Sequence, residues 1–276
     1  MHAAPQPIVP RPRKVDFAFA EAGIPRHWFG GSPVATHVFN GVNLLFPLGE
    51  RFFVRSVYAF IHEIEQDPAL LARVRGFAGQ EGRHAHAHEE YFEILEGQGY
   101  SVKPFLKVYE KVAYEWLEKV TSKKLRLAGT AALEHYTAIM AENALTERYL
   151  DHAHPTLRAL MLWHAAEEIE HKSVAFDVLQ RIDPSWSLRM AGLAFATATL
   201  GSFWIAGTAM LLLQDRAKGV DLRAADAKFA AVPRGEGIGR KVFLRGIRAY
   251  LRRDFHPDDM DNHALAAQYL QGAGLA

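Results

Sequence analysis

Two short stretches, QEGRHAHAH (residues 80–88) and AAEEIEHKS (residues 165–173), each contain a Glu followed three residues later by a His. Residues three apart on a helix lie on the same side, so Glu81 and His84 can reach one centre together, as can Glu168 and His171. A single Glu-x-x-His match often arises by chance, but two in one chain are more informative. The two stretches therefore predict a helical protein with ligating side chains between its helices.

A single Glu lies one helical hairpin upstream of each pair. Glu50 stands in PLGERFF, and Glu134 stands in ALEHYTA. In bundles that hold two metal ions, two helices supply one Glu each, and the other two supply a Glu-x-x-His each. The repeat therefore predicts six metal ligands: Glu50, Glu81, His84, Glu134, Glu168 and His171.

The four carboxylates share their helix faces with apolar residues, so they are expected to point into the core. Burying an unpaired carboxylate is costly, and nearby positive charge must compensate for it. Metal ions are the favoured source of that charge. The alternatives are that basic residues such as Arg51 and Arg55 neutralise the acids, or that the helix faces rotate and the acids reach solvent. Oxygen and nitrogen donors favour iron first and manganese second. The chain has no cysteine, which excludes thiolate sites and disulfides.

Five further polar residues lie near the predicted ligands and are candidates for the surrounding shell or for substrate contact. For each of them a surface or hydrogen-bonding role is the alternative. Glu167 also competes with Glu168 as the ligand, and the spacing of three residues to His171 favours Glu168. The five candidates are His88, His135, Glu142, His164 and Glu167.

Helical spacing of apolar residues recurs along the chain, and strand alternation is absent, which predicts an all-α protein. The predicted long helices cover residues 41–65, 68–97, 123–150 and 156–180, with a crossover helix at 104–119. Shorter helical stretches are expected at 222–231, 237–253 and 260–271. We divide the chain into an N-terminal arm (1–40), whose first fourteen residues we expect to be mobile, a bundle (41–185), and an apolar helix with C-terminal helices (186–276).

Residues 190–213 contain no charged residue and approach the length needed to cross a bilayer. A helix buried in the protein or in a dimer interface accounts for this composition as well as a membrane span does. The stretch KVFLRGIRAYLRRDF (residues 241–255) is basic and amphipathic, so it could lie on an anionic membrane surface. The first fourteen residues lack the apolar core of a secretory signal. We expect a cytoplasmic protein, with association to the inner membrane as the alternative.

Four stretches carry a resemblance to a known family: PLGERFFVRSV, QEGRHAHAHEEYF, ALEHYTAIMAE and WHAAEEIEHKSVAFDV. Through them, residues 10–260 resemble a bacterial family of predicted metal-dependent hydrolases, which is itself similar to the ferritin-like dimetal-carboxylate superfamily. The resemblance implies metal ligation by the six residues named above. It also implies a ferritin-like four-helix bundle with a crossover helix and additional C-terminal helices.

The ligand pattern also resembles that of oxygen-activating diiron enzymes, such as the ribonucleotide reductase small subunit. We therefore expect a diiron oxidase or oxygenase that acts on a small, hydrophobic substrate with an electron-donor protein. One alternative is a hydrolase that uses a metal-bound hydroxide, and another is a non-catalytic iron-binding or scaffold protein. The apolar helix is compatible with a homodimer. A net charge of +1 and the lack of a basic, aromatic pattern give no reason to expect nucleic-acid binding.

Overall fold

A computed structural model describes residues 8–147, 149–224 and 244–276. Within these residues the chain is all-α, and its only β-type pairing is an isolated bridge between Phe29 and Ala153. The helices are α1 (Pro33–Asn43), α2 (Phe46–Tyr58), α3 (Pro68–Gly97), α4 (Lys103–Tyr109), a π-helical segment (Glu110–Trp116), α5 (Leu117–Val120), α6 (Lys123–Thr146), α7 (Pro155–His171), α8 (Val174–Ile182), α9 (Trp186–Ala217), α10 (Gly246–Tyr250) and α11 (His263–Gly272).

Helices α2, α3, α6 and α7 surround the centre of the protein. Helix α2 packs against α3 and α6, and α7 packs against the same two helices, so the four form a closed arrangement. The two longest of them begin at side-chain caps: Asp67 accepts from the amide of Leu70, and Ser122 accepts from that of Leu125. Helix α4, the π-helical segment and α5 connect α3 to α6, over the stretch where the sequence predicts a crossover helix.

The first predicted helix, residues 41–65, is wrong in its extent. The structure has α1, then a break at Leu44 and Leu45, then α2, which ends at Tyr58. Pro47 explains the break, because it has no amide hydrogen to donate to the carbonyl of Asn43 and is tolerated only in the first turn of a new helix. Glu50 therefore lies on a short helix that starts just before it.

The fourth predicted helix is also divided, because α7 ends at His171 and α8 begins at Val174. The two residues between them make long-range contacts. Lys172 is fully buried and its ammonium group donates to the side-chain oxygen of Asn262 at 2.6 Å. Ser173 accepts a hydrogen bond from Arg73 of α3 at 2.7 Å. These contacts tie the turn to α3 and to the residue just before α11.

The described part of the predicted N-terminal arm lies against the bundle. Residues 8–32 run mostly without regular secondary structure, but they pack on the bundle, with Phe17 and Trp28 buried in the core. Gly76 of α3 allows the close approach, since a Cβ atom there would collide with the carbonyl of Pro10. Residues from Pro33 onwards already belong to α1. The structure therefore holds this segment against the bundle.

Helix α9 contains the uncharged segment and packs along α1 and α6. This helix is long and apolar enough to cross a membrane, but core helices of soluble proteins can have the same length and composition. Only 17% of the most apolar stretch of α9 is buried in the protein, so much of the surface of this helix is exposed. Helices α10 and α11 pack on α6, and α11 also contacts α7. Most of the predicted helix at 222–231 and the start of that at 237–253 lie outside the described residues.

Candidate metal centre

The six predicted ligands meet in the interior of the four-helix arrangement, and all six side chains are buried. Ligand atoms of Glu81, Glu168 and His171 lie within 4.8 Å of one another, and so do those of Glu50, Glu81 and His84. The two groups share Glu81, so they lie side by side. This arrangement provides two adjacent places where a metal ion could be held.

One of these places is defined by His171 at the end of α7. Its Nε2 atom lies 3.2 Å from Glu81 Oε1, 3.4 Å from Glu134 Oε2 and 3.5 Å from Glu168 Oε2. The other ring nitrogen, Nδ1, is 2.9 Å from the side-chain oxygen of Gln80, to which it can donate. That hydrogen bond leaves the lone pair of Nε2 facing the three carboxylates.

The second place is defined by His84 on α3. Its Nε2 atom donates to Glu167 Oε2 at 3.0 Å, so its Nδ1 atom faces the cluster, 3.7 Å from Glu168 Oε1. The other oxygen of Glu167 accepts from Arg13 at 3.0 Å and from Trp163 at 3.1 Å. Glu167 thus holds the ring of His84 from behind, as the carboxylate partners of metal-bound histidines do.

The buried atoms of the cluster fit a metal site because they lack hydrogen-bond partners. Such orphaned buried groups are rare and costly unless something else satisfies them. The two nearby arginines do not: Arg51 pairs with Glu89 at 2.7 Å and Arg55 with Glu118 at 3.1 Å, both away from the cluster. The unpartnered atoms are both carboxylate oxygens of Glu50, Glu81 and Glu134, Oε2 of Glu168, Nδ1 of His84 and Nε2 of His171.

The electrostatics of the metal-free cluster also indicate missing positive charge. Burial, reinforced by the neighbouring carboxylates, raises the pKa of Glu50, Glu81 and Glu134 well above the usual value. Burial alone would lower the pKa of His171, but Glu168 and Glu134 outweigh it and raise that pKa to about 9. Without metal the centre therefore holds protons, which metal ions would displace on binding.

Two further imidazoles extend from the cluster toward a cavity. His164 Nε2 is 2.8 Å from Glu168 Oε1, and its ring stacks on that of His84 with centroids 4.1 Å apart. His164 Nδ1 is in turn 2.8 Å from His88 Nε2. Glu168, His164 and His88 therefore form a hydrogen-bonded row along the edge of the cluster, where ligand atoms of His164, His88 and Glu50 also lie within 4.8 Å of one another.

The row ends at a cavity of about 320 Å³, a volume within the lower range of small-molecule sites. Glu168, His164 and His88 all contribute to its wall, so a molecule in the cavity would lie beside the ligands. The remaining wall is mostly apolar and comes from α1, α2, α6, α7, α9 and the short turn between α6 and α7. It includes Val38, Phe39, Val42, Phe46, Met140, Ala141, Ala144, Leu150, Met161, Ala165 and Trp204.

Two predicted shell residues lie elsewhere. His135 follows Glu134 directly, which places it about 100° around the helix, and its Nε2 atom lies 2.9 Å from the carbonyl of Gly246. Glu142 accepts a hydrogen bond from Asn262 at 2.9 Å, near the C-terminal helices. Sequence reasoning missed Gln80, although it lies one turn before His84 in the quoted motif, and Arg13, for which the sequence gives no signal.

A family model described as "predicted metal-dependent hydrolase" matches residues 11–261. The chain belongs to this family. No curated protein and no solved structure matches it significantly. The buried Glu and His side chains of this chain, which could hold metal, agree with the family description. The family description favours hydrolysis over the oxidative chemistry that the ligand pattern alone led us to prefer.

Proposed function

We propose that this protein is a dimetal-dependent hydrolase that acts on an ester or a related substrate with an apolar chain. The observation that carries the proposal is the row Glu168–His164–His88, which joins the buried ligand cluster to the wall of the apolar cavity. The reactive group of a substrate could reach the ligands while its chain stays in the cavity. The family description supports the hydrolytic reaction type.

The six clustered residues would hold the two ions, with Glu81 and Glu168 placed between His84 and His171. Ions bound there would polarise a carbonyl or phosphoryl oxygen and lower the pKa of a water molecule. Gln80 and Glu167 would keep the ligating ring nitrogens aimed inward, because each accepts from the opposite nitrogen. The apolar cavity wall would exclude bulk water and orient the chain of the substrate.

The test measures metal content and anaerobic hydrolysis together. Protein purified without added metal should contain about two equivalents of metal, and p-nitrophenyl esters should be hydrolysed without oxygen, with longer acyl chains preferred. Glu168→Gln should lower both metal content and turnover, whereas the matched change Glu142→Gln, outside the cluster, should leave both unchanged. Unaltered metal content in Glu168→Gln contradicts the site, and metal binding without any hydrolysis contradicts the reaction.

The cavity is tested separately with Ala144→Phe, which places a ring in it far from the ligands. The rate with a long-chain ester should fall by about tenfold or more, since its chain no longer fits. The rate with an acetyl ester and the metal content should remain unchanged. A matched change on the exposed surface of α9, Ala198→Phe, should affect neither substrate. Equal losses for both esters would show that the cavity does not hold the chain.

Oxygen activation by a diiron centre is the second candidate, and the donor set favours it. Four carboxylates and two imidazoles are ligands that suit iron first and manganese second, and the apolar surroundings suit a hydrophobic substrate. Such a reaction would also need an electron-donor protein. Oxygen uptake by the reduced, iron-loaded protein, combined with no anaerobic hydrolysis, would select this candidate. Metal binding with neither reaction would select an iron-binding or scaffold role.

A further inference from the structure

The crossover between α3 and α6 has two apolar faces, and only one is covered. Its inner face contributes Tyr109, Ala113 and Tyr114 to a small cavity of about 60 Å³ that also reaches Glu50. Its outer face carries a row of large apolar side chains spaced four residues apart. These are Val108, Val112, Trp116 and Val120, which are 59%, 37%, 60% and 64% exposed. A contiguous exposed row of this kind commonly marks an interaction surface.

We call this row, Val108 to Val120, the crossover stripe. The π-helical segment Glu110–Trp116 lies in its middle, and π-helical turns often occur at functional sites. The inner face of the crossover packs against α9, because Tyr109 lies on Phe203 of that helix with ring centroids 4.6 Å apart. Helix α9 itself leaves Ile205 and Leu213 exposed, at 72% and 63%. Exposed apolar side chains thus occur on two helices in contact.

The charges beside the stripe indicate its partner. Exposed charged residues flank the stripe along its length, four of them lysines and two glutamates: Lys107, Glu110, Lys111, Glu115, Lys119 and Lys123. Residues 103–124 contain six Lys and three Glu, so the segment is basic although the whole chain is nearly neutral. An apolar helix face that carries Trp and is bordered by Lys is typical of helices that lie in the interface of an anionic membrane.

A second copy of the chain fits this surface less well. In a twofold interface the same patch meets itself, which would bring the bordering lysines of the two copies together. Like charges facing each other across an interface are unfavourable. Anionic lipid headgroups would instead pair with these lysines while the apolar side chains enter the upper part of the acyl region.

We propose that the crossover stripe binds the surface of an anionic lipid bilayer. The protein then lies on the membrane with the outer face of the crossover in the lipid interface and the inner face above Glu50. This peripheral binding goes beyond the proposed reaction and does not depend on it. Chelator-treated protein should bind vesicles as well as metal-loaded protein does, so failure of the metal centre and failure of the membrane surface can be distinguished.

Vesicle sedimentation of the full chain tests the proposal. Wild-type protein should sediment with vesicles of phosphatidylglycerol and phosphatidylcholine, less with pure phosphatidylcholine, and less at high salt. The double change Val112→Ser and Trp116→Ser should lower the partition coefficient by about tenfold or more, because two apolar side chains no longer enter the interface. Tyr58→Ser, a matched change of an exposed aromatic residue on α2, should leave binding unchanged.

A second readout uses the fluorescence of Trp116. Vesicles should shift the emission of the wild-type protein to the blue. The variant Trp116→Phe should lose most of that shift but should still sediment with the vesicles. Replacing Lys107, Lys111, Lys119 and Lys123 by Gln should abolish the preference for anionic lipid. Equal sedimentation of the serine variant and the wild type would overturn the proposal, and so would a dimer in lipid-free buffer that this variant disrupts.

Discussion

The side-chain oxygen of Gln80 lies 2.9 Å from Nδ1 of His171, on the side of the ring opposite the carboxylates. Gln80 also donates to Glu170 at 2.6 Å and to the carbonyl of Arg11 at 3.2 Å, so its own amide group is held in place. The orientation of a predicted ligand on α7 is therefore set by a residue of α3 next to another predicted ligand, Glu81.

Removing this acceptor should weaken metal binding. In Gln80→Leu the ring of His171 loses its partner, and we expect metal affinity to fall by about 10–100-fold. Competition with a chromophoric chelator measures the change. Gln98→Leu is the matched control, because Gln98 lies just beyond the end of the same helix and donates to the carbonyl of Ile24 at 2.8 Å. Equal affinity of Gln80→Leu and wild type would mean that Nδ1 of His171 needs no partner.

Replacing Arg13 should also weaken metal binding, in this case at the ligand His84. It contacts Glu167 at 3.0 Å and both oxygens of Glu170, at 2.7 and 2.9 Å. Burial raises the pKa of Glu167, and Arg13 opposes that rise. In Arg13→Gln, Glu167 should take up a proton more readily and hold His84 less well. We expect metal affinity to fall by about tenfold.

The loss in Arg13→Gln should be larger at lower pH, where Glu167 is more often protonated. Arg11→Gln provides the control, since Arg11 lies two residues away with an exposed side chain. Isothermal titration at two pH values separates the two variants. A loss that is the same in Arg11→Gln would assign the effect to the charge of the N-terminal segment rather than to the contact with Glu167.

The stability of the metal-free protein should decrease between pH 6.5 and 9. The pKa of His171 rises from 6.5 to about 9 on folding, so its contribution is fully present below 6.5 and is lost as the pH rises through 9. The raised pKa values of Glu50, Glu81 and Glu134 act in the same direction above 4.5. Burial lowers the pKa of His84, which makes the free energy of unfolding rise with pH. That rise ends near pH 6.5, the pKa of an unfolded histidine, so it does not oppose the decrease above this pH.

Urea unfolding of chelated protein at several pH values checks this prediction. The contribution of His171 is on the order of 2–3 kcal/mol. The variant His171→Gln should show a smaller decrease, because all other titrating groups are common to both proteins. Metal-loaded wild type should show little decrease, since bound metal replaces the protons. A metal-free wild type that gained stability over this range would contradict the electrostatics described above.

The stability of the protein should depend on the close contact between α9 and α6. A Cβ atom at Gly192 would collide with the backbone of Ala128, whereas nothing lies within 4 Å of one at Gly201. Gly192→Ala should therefore destabilise the protein by about 1–3 kcal/mol. Gly201→Ala should stabilise it by about 0.5–1 kcal/mol, because Ala is the better helix former. Unfolding curves of the two variants decide. Equal stabilities would mean that α9 does not pack on α6 as described.

Local spacing predicted the parts of the site that depend on one helix at a time. Glu81 with His84, and Glu168 with His171, converge because i and i+3 share a helix face. The choice of Glu168 as ligand over Glu167 stays a prediction, but the two side chains do point to different partners, as that choice requires. Residue 135 could not share the face of Glu134, which simple geometry would have revealed.

The remaining features depend on contacts that sequence spacing does not contain. Arg13 and Glu167 are 154 positions apart, and Glu142 meets Asn262 across 120 positions. Pro47 carried a local signal for the break between α1 and α2, but the run of apolar residues around it concealed that signal. The apolar composition of residues 190–213 predicted a helix, but neither its full extent, Trp186–Ala217, nor its surroundings, because membrane helices and packed helices share that composition.

Arg13 has one more neighbour, the carbonyl of Leu275, at 2.6 Å from its Nε atom. A residue near the start of the described chain and one near its end thus meet beside Glu167 and His84. During synthesis on the ribosome, Arg13 emerges long before Leu275 exists. The support behind His84 is therefore complete only after residue 275 has been made. We therefore expect metal loading that requires this support to follow translation of the whole segment rather than accompany it.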